Sequence, residues 1–524
     1  MSTSLPWSAE APDWPASSFD ALLTRWQTRD PSRTLLAWRD PADAASAWQR
    51  LDVGSFAAAV ERIAAGLYGQ GIGQGDRVAW LGFNHPGQLV LLWALARLGA
   101  VFVPLNHRLS PAEWAAVLAD CSPRLLVHDA AWGEQARALG AWPGSMARER
   151  VCAVDALARV SAEPAPAHPE DATQPLLLVY TSGTTGHPKA AVHTQANLLA
   201  NMAIAGQVQA LSEQDVVLTV LPLFHVGGLC IQTLPALAAG AQVLLMARFD
   251  PGATLQSIAQ DRPTLTLQVP ATLQALVSHP AWSTTDVSSL RAVWAGSSVL
   301  PPAPLQAFLD RGVPVCNVYG STETGPFSVA LPPAFAASHL GSCGWPAPGV
   351  QVRLLGVDGG EAAQGQVGEL CVRGPNVVAR YWPDRPAVDT QGFFHSGDLA
   401  RQAPDGSYTV VGRAKDMIIS GGENIYPAEI ENLLVQHPEV AECAVIGQPD
   451  ARWGEVAVAC VVLREPQAPQ AQPWAERVQA FLDGRLARYK WPRRWVALDR
   501  LPRTALGKVQ KGELRALLDA RPPA

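Results

Sequence analysis

Hydrophobic and polar positions alternate along this chain with two different periods, which predicts a mixed α/β fold. Val60, Ile63 and Leu67 recur at helical spacing and predict a first helix. The pattern after it predicts a strand, a helix and a second strand, at residues 78–81, 88–98 and 101–105. Further apolar runs of strand length occur at residues 216–221, 242–246, 264–269 and 313–318. Because strands and helices alternate, we expect a large α/β unit with parallel sheet.

The pattern changes near Gly406 to short strands and amphipathic helices, which predicts a second, smaller α+β unit. Strands are expected at residues 408–411 and 417–419, near Val445 and at 456–463, and a helix at 474–486. Pro427 opens another helix, with Ile430, Leu433 and Leu434 on one face. We place the domain boundary between residues 412 and 413, giving an N-terminal domain of 1–412 and a C-terminal domain of 413–524. A linker rich in Pro, Gln and Ala is expected at residues 465–473.

Composition limits the classes of function. The 524 residues exceed the size of about 250 to 300 residues at which one hydrophobic core stops growing. A net charge of −6 offers no global positive field for nucleic acid, so we expect no nucleic-acid partner. The eight cysteines form no CxxC pair and suit a reducing cytoplasm without zinc clusters or disulfides. We expect no secretory signal and no integral membrane segment, and the oligomeric state stays open, a homodimer included.

Residues 180–189 form a loop suited to polyphosphate, Tyr-Thr-Ser-Gly-Thr-Thr-Gly-His-Pro-Lys, directly after the apolar run 176–179. Glycines allow the backbone close to an anion, hydroxyls donate hydrogen bonds, and the lysine adds positive charge. The residues expected to bind phosphate are Thr181, Ser182, Gly183, Thr184, Thr185 and Lys189. The loop is not a Walker A motif, because Pro188 precedes the lysine and Ala190 follows it. We therefore expect a mobile flap instead of a helix-terminus cradle.

Five further segments carry residues suited to nucleotide and carboxylate chemistry. They are residues 222–228 (PLFHVGG), 317–324 (NVYGSTET), 392–398 (GFFHSGD), 412–416 with 421–427 (GRAKD and GGENIYP), and 501–508 (LPRTALGK). Together with the phosphate loop they resemble the adenylate-forming synthetases, a family that includes acyl- and aryl-CoA ligases, firefly-type luciferases and carrier-loading adenylation domains. The resemblance runs from about residue 20 to about residue 515 with the family's motif order intact. It implies a large N-terminal domain and a smaller, mobile C-terminal domain.

The resemblance assigns the ATP and AMP site. Tyr319 stacks on adenine, Thr322 contacts phosphate and Glu323 holds Mg²⁺, which suits an aromatic ring, a hydroxyl and a carboxylate. Asp398 and Arg413 bind the ribose hydroxyls, because a carboxylate accepts two vicinal O–H groups well. The other residues that the resemblance places at the nucleotide are Gly296, Ser297, Ser298, Asn317 and Gly320.

The acyl pocket follows from the same resemblance. It consists of His225, Val226, Gly227, Gly228, Gly320 and Gly325. His225 lies at its mouth beside the substrate carboxylate, and we assign it no proton transfer because that carboxylate is already ionised at neutral pH. The residues grouped as catalytic are Lys508, His225, Thr185 and Glu323.

The implied reaction has two steps and uses ATP, Mg²⁺ and coenzyme A. A carboxylic acid and ATP give an acyl-adenylate and pyrophosphate, with Lys508 neutralising the charge that develops at the α-phosphate. The CoA thiol then displaces AMP. Because Lys508 occupies the space that the thiol needs, the family rotates its C-terminal domain about a hinge, here Lys415. Gly421, Gly422 and Glu423 would then help to bind CoA.

The substrate is less well defined than the reaction. The chain also departs from the family pattern at three places, which are Ala190, residues 295–298 and Arg380. The segments expected to wall the acyl pocket, residues 225–233, 292–299 and 317–327, contain no Lys or Arg. A second substrate carboxylate would be unpaired there, so we expect a neutral-tailed aromatic or medium-chain monocarboxylic acid. Two alternatives remain: transfer to a carrier-protein thiol instead of CoA, and a non-catalytic nucleotide-binding protein.

Overall fold

The protein is described here from a computed structural model. The residues it describes are 6–39, 47–139, 151–157, 164–165, 171–182, 188–296, 300, 302–356, 359–420, 423–450, 452–464, 474–503 and 509–519. The predicted linker at 465–473 lies outside these residues. The chain divides into a larger compact unit (Met1–Leu300, Pro304–Val352 and Cys371–His395) and a smaller one (Pro301–Ala303, Arg353–Leu370 and Ser396–Ala524). The expected α/β fold with large and small parts is confirmed, and a boundary at residue 413 stays a prediction.

The helices and strands alternate as the sequence pattern indicates. The helices are α1 (Phe19–Arg29), α2 (Val53–Gly69), α3 (Pro86–Leu98), α4 (Pro111–Cys121), α5 (Gly133–Leu139), α6 (Val154–Leu157), α7 (Gln195–Val208), α8 (Leu234–Ala238), α9 (Pro251–Asp261), α10 (Pro270–Val277), α11 (Pro302–Leu309), α12 (Pro427–Leu434), α13 (Trp474–Ala480) and α14 (Lys511–Asp519). Among the described residues, no helix combines the length and apolar character that crossing a membrane requires.

The strands are short. They are β1 (Thr34–Trp38), β2 (Gln49–Asp52), β3 (Arg77–Leu81), β4 (Val101–Pro104), β5 (Leu125–His128), β6 (Val151–Ala153), β7 (Pro175–Ser182), β8 (Pro188–Thr194), β9 (Val216–Thr219), β10 (Gln242–Leu245), β11 (Leu265–Gln268), β12 (Ala292–Gly296), β13 (Val315–Tyr319), β14 (Val329–Ala330), β15 (Trp345–Pro346), β16 (Gln351–Leu355), β17 (Val367–Arg373), β18 (Arg380–Tyr381), β19 (Arg385–Pro386), β20 (Phe394–Gln402), β21 (Tyr408–Arg413), β22 (Ile418–Ser420), β23 (Glu423–Ile425), β24 (Val440–Asp450), β25 (Gly454–Leu463) and β26 (Arg494–Ala497).

The larger unit is built on two sheets. One has the strand order β15-β14-β13-β12-β11-β9-β10-β1-β2, and its pairs from β13 to β1 are parallel. The other has the order β19-β18-β8-β7-β4-β3-β5-β6, with β7 and β8 antiparallel. Helix α2 buries Val60, Ile63 and Leu67 as its periodicity predicts. Helix α3 begins at Pro86 and ends at Leu98, and Gly99 after it takes the left-handed conformation that glycine adopts without strain.

The smaller unit contains a sheet of order β23-β22-β25-β24, with β26 parallel to β25. Its core includes Ile418, Ile430, Leu434, Val445 and Val478, all at most 1% exposed, so the apolar face predicted for α12 is confirmed. Most of another sheet, of order β16-β17-β20-β21, belongs to this unit as well.

The helix expected at residues 474–486 is wrong in length, since α13 ends at Ala480. The backbone then continues through hydrogen-bonded turns, in which the amides of Leu482 and Asp483 bond the carbonyls three residues before them. Gly484 follows with φ of +70°, a conformation that a right-handed helix excludes. Helical periodicity in the side chains is preserved in these turns, because Leu482 and Leu486 are still buried.

Candidate active site

The segments predicted to wall the acyl pocket meet at one edge of the first sheet. Residues 225–233 come after β9, whereas residues 292–299 and 317–327 include the carboxyl ends of β12 and β13. These strands run parallel in the order β13-β12-β11-β9. In an open parallel sheet the carboxyl ends of neighbouring strands share an edge, and ligands bind in the crevice there. Residues far apart in sequence, such as His225 and Glu323, are thereby carried on the same side of one sheet.

The phosphate loop connects the antiparallel strands β7 and β8, so it belongs to a β-hairpin and not to a strand-to-helix turn. This agrees with the absence of a Walker A motif. Thr181 lies in β7, where its Oγ1 donates to the Lys189 carbonyl oxygen at 3.4 Å, and Ser182 ends the strand. The loop tip with Gly183, Thr184 and Thr185 lies outside the described residues.

Lys189 and Glu323 meet, although 134 positions separate them in the sequence. Lys189 lies in β8, and its Nζ is 3.2 Å from Oε1 of Glu323, which lies in the turn Thr322–Thr324 after β13. Tyr381, in β18, completes the contact: its hydroxyl accepts from Lys189 Nζ at 2.8 Å and donates to Glu323 Oε1 at 2.8 Å. We call Lys189, Tyr381 and Glu323 the carboxylate cluster.

The carboxylate cluster holds Glu323 ionised inside the protein. Burial alone raises the pKa of a carboxyl group, but the charge of Lys189 and the hydrogen bond from Tyr381 outweigh it, so the pKa of Glu323 is lowered. Burial and the Glu323 charge both raise the pKa of Tyr381, which keeps its hydroxyl protonated and able to donate. An ionised, buried carboxylate beside a lysine suits the binding of a divalent cation and a phosphate.

The end of β13 presents the predicted nucleotide residues in a tight turn. Asn317 is buried and its Nδ2 donates to the Ser342 carbonyl oxygen at 3.0 Å, which orients its side chain. Tyr319 is the last residue of β13 and half-buried, while Thr322 is buried in the turn. Gly320 has to be glycine, because a Cβ there would lie 1.7 Å from the Pro326 carbonyl oxygen. Gly296 ends β12 and Gly325 follows the turn, so both lie near this edge of the sheet.

His225 precedes a π-helix, Gly227–Thr233, that the sequence pattern did not indicate. Its Nδ1 accepts a hydrogen bond from the Gly227 amide at 3.0 Å, so Nδ1 carries no proton in this arrangement. A Cβ at Gly228 would lie 2.3 Å from the Pro222 carbonyl oxygen, so close backbone packing requires that glycine. Val226 is buried. Because π-helices are rare and occur frequently at functional sites, this one supports a role for the segment.

Asp398 and Arg413 are brought together as the sequence predicts. They are cross-strand partners in the β20–β21 hairpin, and Arg413 Nε lies 2.8 Å from Asp398 Oδ1. Asp398 is buried, with its side chain 9% exposed, whereas the Arg413 side chain is 49% exposed. The Asp398 amide donates to Ser396 Oγ at 3.0 Å, which holds the start of the hairpin.

The predicted hinge and CoA residues lie further along the smaller unit. Lys415 is exposed in the short turn Ala414–Asp416, between β21 and β22. Glu423 is exposed at the start of β23. Lys508 lies outside the described residues, but the chain on either side of its loop is tied together: Arg503 pairs with Val509, and the Gln510 amide donates to the Pro502 carbonyl oxygen at 2.8 Å. Ser297, Ser298, Gly421 and Gly422 also lie outside the described residues.

Two residues of this region were missed by sequence reasoning. Tyr381 follows Arg380, which was noted only as a departure from the family pattern, and no local motif connects it to Lys189. His193 lies four residues after Lys189 in β8 and is fully buried. Burial lowers the pKa of His193 to about 4, although Glu323 and the Thr322 backbone favour its charged form. A signal was available for His193, since β8 alternates and places residues 189, 191 and 193 on one face.

Comparison with known proteins gives consistent matches over most of the chain. The sequence matches the AMP-binding enzyme family over residues 23–382 and the AMP-binding enzyme C-terminal domain over residues 429–508. It is 45% identical to an indoleacetate–CoA ligase of Aromatoleum aromaticum over 482 residues, which cover 89% of this chain and 93% of the relative. It is 44% identical to a feruloyl-CoA synthase of an Amycolatopsis species over 459 residues, which cover 87% of this chain and 91% of the relative.

Among solved structures, the fold is similar to that of an anthranilate CoA ligase in complex with anthranoyl-AMP. The TM-score is 0.87 at 25% sequence identity, and the match covers 98% of this chain and 99% of the other. Both units of the chain therefore have counterparts in a structure that contains an acyl-adenylate.

Proposed function

Because the chain belongs to the AMP-binding enzyme family and is an ATP-dependent acyl- or aryl-CoA ligase, we propose that its substrate is an aromatic monocarboxylic acid whose ring carries no ionised group. The observation that carries this proposal is the charge of the three segments expected to wall the acyl pocket. Residues 225–233, 292–299 and 317–327 contain no Lys or Arg, and their single acid, Glu323, is already bonded to Lys189 and Tyr381. A second anionic group on the substrate would find no cation there, at a cost of several kcal/mol.

The relatives support an aromatic acid over an aliphatic one. The two ligases at 44–45% identity are named for indoleacetate and ferulate, acids with an aromatic ring and a single carboxylate. The sheet-edge segments supply apolar side chains for such a ring, including the buried Val226, Leu229 and Phe327. Apolar and aromatic linings with few polar groups are typical of small-molecule sites.

In the first half-reaction the substrate carboxylate oxygen attacks the α-phosphorus of ATP and pyrophosphate leaves. Lys189 would bind the phosphates together with the hydroxyls of the loop, and Asp398 and Arg413 would orient the ribose. Lys508 would neutralise the charge on the attacking and phosphoryl oxygens. The ionised carboxylate of Glu323 fits a Mg²⁺ ligand, and the ion, when bound, would neutralise charge on the phosphates.

In the second half-reaction the CoA thiol attacks the acyl carbon and AMP leaves with the bonding electron pair. His225 would lie beside the acyl carboxyl group as a hydrogen-bonding group, because its Nδ1 already accepts from Gly227 and its Nε2 is the protonated nitrogen of the neutral ring. Lys508 would leave the site before the thiol enters, by rotation about Lys415.

The proposal is tested with a panel of acids that differ in their ring or in their number of carboxylates. Pyrophosphate release and thioester formation with CoA as the only thiol are measured for indole-3-acetate, ferulate, phenylacetate, octanoate and malonate, and for 4-carboxyphenylacetate, which adds one carboxylate to phenylacetate. We expect the aryl acids to exceed octanoate about tenfold in kcat/KM and 4-carboxyphenylacetate to lose about 100-fold against phenylacetate, since an unpaired buried charge costs several kcal/mol. Highest turnover with octanoate or malonate would contradict the proposal, as would adenylation without CoA thioester formation.

A further inference from the structure

We propose that Tyr381 is a positioning residue for the adenylation half-reaction, whose hydroxyl holds Lys189 and Glu323 in the arrangement that binds magnesium-complexed triphosphate. This inference rests on the proposed roles of Lys189 and Glu323 in binding ATP and Mg²⁺. Neither the phosphate loop nor the segment around Glu323 contains Tyr381, and it contacts both through folding alone.

The chemistry of the three groups determines the direction of the hydrogen bonds. An ammonium group can only donate and a carboxylate can only accept. The Tyr381 oxygen therefore accepts a hydrogen bond from Lys189 Nζ, and its O–H group donates one to Glu323 Oε1. Both donor–acceptor distances are 2.8 Å.

Tyr381 is itself held by a strand and by ring contacts. Its backbone pairs with Ala191 in β8, and the next residue, Trp382, donates its amide to the Ala190 carbonyl oxygen at 2.9 Å. The Lys189 Nζ lies 4.2 Å from the centre of the Tyr381 ring, and the Arg385 guanidinium lies 5.3 Å from it. Sites carried by strands are more accurately placed than sites on loops, and here strand β18 carries Tyr381 while strand β8 carries Lys189.

The hydroxyl also leaves binding capacity on both charged groups. An ammonium group has three donors and an ionised carboxylate about four acceptor sites. The hydrogen bonds of the tyrosine and the direct contact between Lys189 and Glu323 at 3.2 Å use two sites on each charged group. The tyrosine therefore holds this ion pair in one arrangement while capacity for phosphate and metal remains on both groups.

The test compares Tyr381→Phe with Tyr408→Phe in the full-length protein. Tyr408 is 5% exposed and Tyr381 is 7% exposed, so the two residues are similarly buried. The Tyr408 hydroxyl accepts a hydrogen bond from Gln402 Nε2 at 3.0 Å. Tyr408→Phe therefore controls for the loss of a buried, hydrogen-bonded hydroxyl. Binding of ATP is measured by calorimetry with and without Mg²⁺, alongside thermal unfolding. For Tyr381→Phe we expect the Kd of MgATP to rise about tenfold and that of metal-free ATP to change less than threefold, because Glu323 contributes through the metal.

The same substitution is also made in the Glu323→Gln variant, which separates a specific effect on Glu323 from a general loss of structure. In Glu323→Gln, adding Tyr381→Phe should leave the remaining gain in ATP affinity from Mg²⁺ unchanged, since the group that it positions is gone. An unchanged Mg²⁺-dependent gain in Tyr381→Phe, or an equal loss in Tyr408→Phe, would overturn the proposal. Because these measurements need no acid, they are read in the same way whether or not the substrate panel supports an aromatic acid.

Discussion

Glu323 and Asp398 are both buried carboxylates beside a cation, yet they are assembled in different ways. The side chains of both acids are 9% exposed, but Lys189 is 30% exposed and Arg413 is 49% exposed. Glu323 receives contacts from β8 and β18, which come from distant parts of the sequence. Asp398 faces Arg413 across a hairpin, fifteen positions further along the chain.

The difference shows how each pair depends on the rest of the fold. The Asp398–Arg413 pair forms wherever the β20–β21 hairpin forms, and its half-exposed cation is screened by solvent. The Glu323 contacts require two sheet elements and the turn after β13 to be in place together. A change in the carboxylate cluster should therefore affect both stability and nucleotide binding, whereas a change in the hairpin pair should affect mainly binding.

The largest effect is expected from breaking the carboxylate cluster. Lys189→Met leaves the buried carboxylate of Glu323 without its cation, so adenylation should fall about 100- to 1,000-fold and the free energy of unfolding by about 3 kcal/mol. Glu323→Gln should lower adenylation similarly but cost only about 1 kcal/mol of stability, because Lys189 can reach solvent. Pyrophosphate exchange and urea unfolding provide the two measurements.

The double variant Lys189→Met with Glu323→Gln is the control for this result. Removing both charges should restore most of the stability lost in Lys189→Met without restoring adenylation. If the losses of stability in the two single variants simply add, the pair does not interact and the contrast between the two regions is wrong.

A smaller effect is expected at the hairpin. Asp398→Asn keeps the shape of the side chain and removes the charge, so the KM for ATP should rise about tenfold through the loss of one charge-assisted contact, with a change in unfolding free energy of no more than about 1 kcal/mol. Glu442→Gln, which breaks the exposed pair with Arg503, is the control and should leave the KM for ATP unchanged. A destabilisation by Asp398→Asn equal to that of Lys189→Met would remove the distinction between the regions.

The same contrast separates what could be predicted from what could not. Asp398 and Arg413 lie in two short motifs on adjacent strands, and the family resemblance of those motifs was enough to predict that they lie together. Lys189 and Glu323 were also predicted to bind phosphate and metal, because each stands in a motif whose residue types suit that chemistry. Their contact was not predictable, since the residue that joins them, Tyr381, lies in a two-residue strand without a chemical motif of its own.

The strands of the larger unit followed from apolar runs because parallel strands are buried on both faces. The π-helix at Gly227–Thr233 did not, because all of its residues are buried, the polar Gln232 and Thr233 included, and the segment therefore shows no alternation of buried and exposed positions. The end of α13 was missed for a related reason: burial of Leu482 and Leu486 continues the apolar pattern through turns that are no longer helical.

The smallest effect on turnover is expected at His193. This residue also provides a test of whether solvent reaches the carboxylate cluster. Its pKa is lowered to about 4 by burial, against an ordinary value of 6.5, so the unfolded chain binds a proton between those pH values and the folded protein does not. Stability should therefore be fully present above about pH 6.5 and fall as the pH is lowered toward 4, by up to about 1.4 kcal/mol per pH unit from this group.

His193→Leu should remove that slope and leave adenylation at pH 7.5 within about twofold, because the leucine fills the same buried position without a titrating group. Urea unfolding at pH 7.5, 6.0 and 5.0 measures the slope, and His339→Leu, at a partly exposed position, is the control. An unchanged pH dependence in His193→Leu would mean that His193 takes up its proton in the folded protein. Solvent would then reach His193 beside Glu323, and this region would no longer differ from the hairpin in its burial.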